Sequence, residues 1–161
     1  RPCGRADMAD TLRLDQVRAR LAAALQGVTV TGGTLHEAHC PYDDLPQGLS
    51  DLQAHLAFGV VVGPTTGYGS ERQRPPQPWL VQSPITVRLV HRMRRDHAAV
   101  VDYDMMLQVE AGAVIAALAI SGADGLALTY TGTSLRQAGS TPIDLCMVQL
   151  DFRAVHSIPT A

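Results

Sequence analysis

No hydrophobic run in the sequence approaches the roughly 20 apolar residues of a membrane span, and Arg1 to Asp7 contain no apolar segment of signal-peptide type. Neither insertion in a bilayer nor export by that route is expected. Positive charge is also short: 13 Lys and Arg against 15 Asp and Glu give a formal charge of -2 and a pI near 6.3. There is no global basic field to gather phosphates by counterion release, so sequence-specific nucleic-acid binding is not expected. Cysteine is limited to Cys3, Cys40 and Cys146. An odd number at wide spacing makes neither a disulfide framework nor a paired zinc-ligand pattern, and a reducing compartment fits best. No Gly-x-Ser-x-Gly elbow, zincin motif or internal repeat occurs. The glycine-bearing run Thr65 to Ser70 lacks the Gly-Lys-Ser/Thr ending of a phosphate loop and is followed by no helical pattern, so no nucleotide cofactor is expected.

What is present suits a folded chain. Its 161 residues are 46% hydrophobic and 17% charged, enough to bury one core without a metal or disulfides. The first helical signal follows Met8-Ala9-Asp10, so residues 1–9 are set apart as an N-terminal extension and residues 10–161 as a single domain. For residues 1–7 a cloning remnant, an upstream in-frame extension and a processing product stand as alternatives.

From Leu12 to Leu25, Leu14, Val17, Leu21 and Leu25 recur at helical spacing opposite Arg13, Asp15, Arg18 and Arg20. Asp10 or Thr11 is expected to cap this amphipathic helix and Gly27 to supply a left-handed stop. Val28 to Thr31 reads as a short strand turning at Gly32-Gly33. Leu35 to Leu56 is rich in turn formers, with one helical turn expected around Leu49 to Gln53. Phe58 to Val62 reads as a strand buried on both faces. Gly63 to Pro84, with five prolines and several glycines, predicts a long exposed excursion in which Tyr68, Trp79, Leu80 and Val81 are able to pack.

Ile85 to Met93 alternates cleanly, with Ile85, Val87, Leu89, His91 and Met93 on one face. A second helix is expected from Ala98 or Asp102 to Leu118, with Met105, Val109, Ala113, Ala116 and Ile120 on its inner stripe. Leu126 to Thr131 reads as a strand that gives way to a polar stretch. Ile143 to His156 reads as a long strand with Cys146, Val148, Leu150, Phe152 and Ala154 inward. Its other face mixes Gln149, Asp151 and Arg153 with Leu145 and Met147, a surface suited to contact with a neighbour. Strands come in hairpin-like couples, which predicts an α+β fold: a mainly antiparallel sheet of hairpin-paired strands packed with two helices.

Chemistry-bearing patterns are thin. His36-x-x-His39-Cys40 puts imidazole and thiolate donors close together, but His55 offers no fourth ligand at a standard spacing, so no metal site is assigned. Cys40 or Cys146 could pair with a histidine as a thiol nucleophile. On an apolar strand face Cys146 instead reads as a small buried hydrophobe, and no catalytic residue is assigned. Arg88, Arg92, Arg94 and Arg95 form the one basic concentration, expected either as a solvated strand end or as a contact to carboxylates of an adjoining subunit. With Tyr68 and Trp79 they are the candidate partner-interface residues.

The helix Leu12 to Leu25, the strand Ile85-Thr86-Val87-Arg88-Leu89-Val90, the helix Tyr103 to Leu118 and the hairpin of Leu126 to Thr131 with Asp144 to Val155 together resemble the tail terminator (tail completion) proteins of long-tailed bacteriophages and related phage-like particles. The resemblance covers most of the chain through size, order and texture of the elements, and matches least over Leu35 to Leu56 and Gly63 to Pro84. It implies a structural virion protein of the tail or neck, assembled in the host cytoplasm. Its copies would form a ring, typically a hexamer, through which DNA passes; the ring would cap the tail tube protein, stop tube growth and meet the head-tail connector or stopper protein. It implies neither enzyme activity nor a cofactor. A head-closure or neck protein of the same particle is one alternative, and a small cytoplasmic metal- or thiol-dependent enzyme using His36, His39 and Cys40 is another.

Overall fold

The computed structural model of the protein describes residues 13–30, 33–37, 56–68, 79–92, 99–122, 126–138 and 145–158. The elements are α1 (Leu14–Gln26), β1 (Thr29–Val30), β2 (Gly33–Thr34), β3 (His36–Glu37), β4 (Leu56–Val62), β5 (Thr66–Gly67), β6 (Trp79–Arg92), α2 (Ala99–Ala119), β7 (Ala127–Ala138) and β8 (Leu145–Ile158). One sheet runs in the order β3-β4-β6-β8-β7, with β5 pairing β6 beyond the end of β4. Among the described strands only β3 and β4 run parallel, and β1 and β2 form a separate small hairpin. The two expected strand couples are thus β4 with β6 and β7 with β8, and the fold is α+β as the sequence predicts.

Both described helices lie on one face of this sheet. Helix α1 packs on β3 and β4, and α2 packs on β6, β7 and β8 and touches α1 and β1. Alternation along the strands turns Phe58, Ile85, Leu89, Leu150 and Phe152 inward, where Val17, Leu21 and Leu25 of α1 and Met106, Val109, Ala113 and Ala117 of α2 meet them. Removing these side chains from water is the main favourable contribution to folding. Tyr130 and Phe152 pack as tilted rings with centroids 5.4 Å apart across β7 and β8.

Several expectations need correction. Helix α1 starts at Leu14 with Arg13 in the capping position, and the Arg13 N–H donates to Gln16 Oε1 at 2.9 Å. Asp10 and Thr11 lie outside the described residues. Arg13 also grips Asp15 at 2.6 Å, holding the fully exposed Asp15 carboxyl below its ordinary range. Gly27 is right-handed, at φ -79 and ψ -9, because the helix ends in a tightened turn that bonds Gly27 to Ala24 and Val28 to Leu25. In α2 the inner stripe is Met106, Val109, Ala113 and Ala117, while Met105, Ala116 and Ile120 are only partly buried. An almost wholly apolar helix gives little phase information from sequence, and the sheet beneath it decides which side turns inward.

The excursion expected over Gly63 to Pro84 is shorter. Trp79 to Pro84 belong to β6, paired with Arg153 to Ile158 of β8, and Thr66-Gly67 pair with Gln82 and Val81. Pro84 is tolerated because of where it falls. In an antiparallel strand a residue's N and C=O point to the same side, and the Pro84 carbonyl accepts from the Gly63 N–H at 2.8 Å, at the place where β4 leaves the sheet. The donor that proline lacks is missing only there.

Strand β7 likewise continues to Ala138 where a polar stretch was expected after Thr131. Its register with β8 slips between Tyr130 and Gly132 and again between Thr133 and Leu135, two bulges that each absorb one residue. Gly132 carries the first at φ 146, a conformation that side-chain-bearing residues rarely adopt. The slip turns Thr133 to the helix side, where it donates to Glu110 Oε1 at 2.6 Å and meets Tyr130 Oη. The second slip restores the outward phase.

Candidate partner interface

The interface candidates divide between two ends of one long strand. Trp79 opens β6 opposite Ile158 and Arg92 closes it opposite Leu145. At about 3.3 Å per residue the two positions lie roughly 40 Å apart. Tyr68 is at the Trp79 end: its N–H donates to the Leu80 carbonyl at 3.0 Å, and its side chain is 45% exposed beside a 39% exposed Leu80. Arg88 sits well along β6 toward the other end. Arg94 and Arg95 lie outside the described residues. Tyr68 and Trp79 therefore come together, Arg88 and Arg92 belong to a different region, and the six do not form one patch.

Arg88 belongs to the sheet face opposite the two described helices. Odd-numbered residues of β6 and even-numbered residues of β8 face the core, leaving Thr86, Arg88, Gln149 and Asp151 half-buried on the other side. Toward the Arg92 end of that same side Val90 and its β4 neighbour Ala57 are 4% and 2% exposed, so the face is closed there and opens toward Pro84 and Arg153. Arg88 Nε donates to Gln149 Oε1 at 3.1 Å, Gln149 Nε2 donates to Ser134 Oγ at 2.9 Å, and Thr86 Oγ1 donates to Asp151 Oδ1 at 3.3 Å. This polar ladder crosses β6, β8 and β7, and half-buried Val61, Met147 and Val155 surround it. Arg153 is exposed on the same face. The mixed outer surface of the last strand and the place of Thr86 beside Arg88 on the outer face of β6 were legible in residue alternation, whereas Ser134 was not, because it reaches this face only through the β7 bulge.

A second surface was missed. On α2, Tyr103, Leu107, Ile115 and Leu118 are exposed, Ile115 at 70%. With Ala111 they recur at three- and four-residue spacing and form a stripe on the side away from the sheet. Apolar residues on every side of the helix were the available signal, since one helix can bury only one side against one sheet.

Interior polar groups are bonded or sealed. Ser83 and His156, both fully buried, are joined from Ser83 Oγ to His156 Nε2 at 3.3 Å, and Thr65 Oγ1 approaches Ser83 Oγ at 2.8 Å. Cys146 faces the core as expected, in register with His91, and the two are 5% and 0% exposed. His36 is exposed on β3, next to Glu37, which accepts from Arg18 of α1. His39, Cys40 and His55 lie outside the described residues, and among the described residues no group of three or more His, Cys, Asp or Glu could hold a metal. Among the described residues, too, no helix is long and apolar enough to cross a membrane. No family model matches the chain, and no curated protein matches it.

Proposed function

We propose that this chain is a structural virion protein of the tail terminator kind. Copies of it form a ring, six in the proteins it resembles, that caps the phage tail tube, stops its growth and offers the opposite surface to the head-tail connector. The observation that carries this reading is a pair of surfaces left open among the described residues: the part of the polar-laddered sheet face around Thr86, Asp151 and Arg153, and an apolar helix stripe on the opposite side of the subunit. Exposed surfaces that mix apolar and polar side chains suit contact between proteins. A cap must complement the tube end on one side and fail to reproduce the surface on which the next tube ring would nucleate. DNA passing through such a ring would need no sequence-reading contact, in keeping with a charge of -2. The particle would be assembled in the host cytoplasm, with the protein in the tail or neck.

The test is tube capping. Purified chain added to polymerising tail tube protein should arrest growth at short lengths, seen by negative-stain microscopy. A Trp79→Ala variant should still self-associate but cap poorly, because Trp79 opens β6 at the end where Tyr68 and Leu80 are exposed. Tubes that grow as long with the chain as without it would refute the proposal. Binding to connector rings with no effect on tubes would favour the head-closure alternative.

A further inference from the structure

The geometry points to a head-to-tail contact between two copies of this chain, in which the exposed stripe of α2 on one copy lies on the part of the outer sheet face around Thr86, Asp151 and Arg153 of the next. This deepens the ring reading by assigning the two unlike patches that a cyclic ring requires. Its first support is layering. Within one subunit α2 buries Met106, Val109, Ala113 and Ala117 against the sheet, while Leu107, Ile115 and Leu118 point away from it. At about 100° per residue the outer stripe is centred roughly 140° from the inner one. A helix apolar on two such sides is built to sit between two layers. The sheet has a complementary deficit over part of its other face: Ala57 and Val90 are buried at one end of it, while Val61 and Val155 are half-buried near the exposed Arg153 with no described element over them. The helix of one copy supplies a layer over this open part of the next copy's sheet.

Charge gives the second support. Helix α2 contains Asp102, Asp104 and Glu110 and no basic residue. Glu110 is turned inward to Thr133, whereas Asp104 is exposed within the angular range of the outer stripe. The sheet face presents Arg153, which is exposed, and Arg88, while the one carboxylate among its described residues, Asp151, accepts hydrogen bonds from Thr86 and Gln149 of the same face. An acidic helix on a face with basic side chains is favoured in approach and in register, whereas two such helices brought together would set Asp104 against its own kind.

Association of the purified chain alone tests this by sedimentation velocity. Ile115→Asp, at a side chain 70% exposed, and Arg153→Glu should each weaken self-association at least about tenfold while leaving the thermal unfolding curve in place. A one-to-one mixture of the two variants should give dimers that grow no further, since each supplies the face the other lacks. A wild-type chain that stays monomeric at all concentrations overturns the proposal. So does normal association of either variant, or a mixture as inactive as the Ile115→Asp variant, the result expected of helix-to-helix pairing. Capping is read separately with tubes: association by these faces without capping removes the tail terminator reading alone, and capping by a chain that never self-associates removes this contact alone.

Discussion

Substituting Gly63 by alanine tests how β6 changes neighbours from β4 to β5. A Cβ at Gly63 would lie 2.7 Å from Pro84 Cγ and 3.4 Å from the Pro84 carbonyl oxygen. The Gly63 N–H donates to that same oxygen at 2.8 Å, so the backbone cannot swing away without losing the bond. Cγ belongs to a closed ring on a central strand and has little freedom beyond puckering. Overpacking of this kind costs about 1–3 kcal/mol, offset by the 0.5–1 kcal/mol or so that alanine gains over glycine in a strand. A net loss of about 1–2 kcal/mol is expected. Gly59→Ala, in β4 with nothing within 4 Å of the added Cβ, should show the gain alone. In urea, with a slope of about 2 kcal/mol per molar, Gly63→Ala should lower the midpoint by about 0.5–1 M and Gly59→Ala raise it by about 0.3–0.5 M. Combining Gly63→Ala with Pro84→Ala removes the ring and should restore at least about 1 kcal/mol beyond additivity. A Gly63→Ala midpoint above wild type, or strict additivity in the double variant, would refute the steric argument.

Two further stability predictions rest on separate contacts. Thr133→Val keeps the side-chain shape but removes the hydroxyl shared by Glu110 and Tyr130, so a loss of about 1–3 kcal/mol is expected, seen as a Tm lower by roughly 2–10 °C; an unchanged Tm would show that the network adds nothing. Gly27→Ala should stabilise by about 0.5 kcal/mol, because Gly27 is right-handed and an added Cβ meets only the Ala24 oxygen at 3.5 Å; destabilisation in the same urea titration would contradict that geometry.

The legible parts of the fold were those with a period. Leu14, Val17, Leu21 and Leu25 gave α1, and the inward sets of β6 and β8 followed from alternation because a strand half-covered by helices must alternate. The long β6 was cut short at Pro84, since a proline in a central strand argues against the strand unless the neighbouring strand is known to end beside it. Strand β7 was cut at Gly132 because a bulge reverses the very alternation that identifies a strand. The phase of α2 was out of reach because its apolar residues surround the axis. For the candidate site, the mixed outer face of β8 could be read from Gln149, Asp151 and Arg153, while the remoteness of Trp79 from Arg92 followed only from finding them on one unbroken strand.

Strands β6 and β8 are joined at every residue from Trp79–Ile158 to Arg92–Leu145. A pull along the strand direction loads those backbone hydrogen bonds side by side, so none yields until many do, whereas a pull across the sheet opens them in succession. The ribbon is stiff lengthwise and weak in peeling. A subunit that must bear tension or torque can do so with the long axis of this ribbon set along the force, which makes its orientation within a larger particle a mechanical matter as well as a matter of fit.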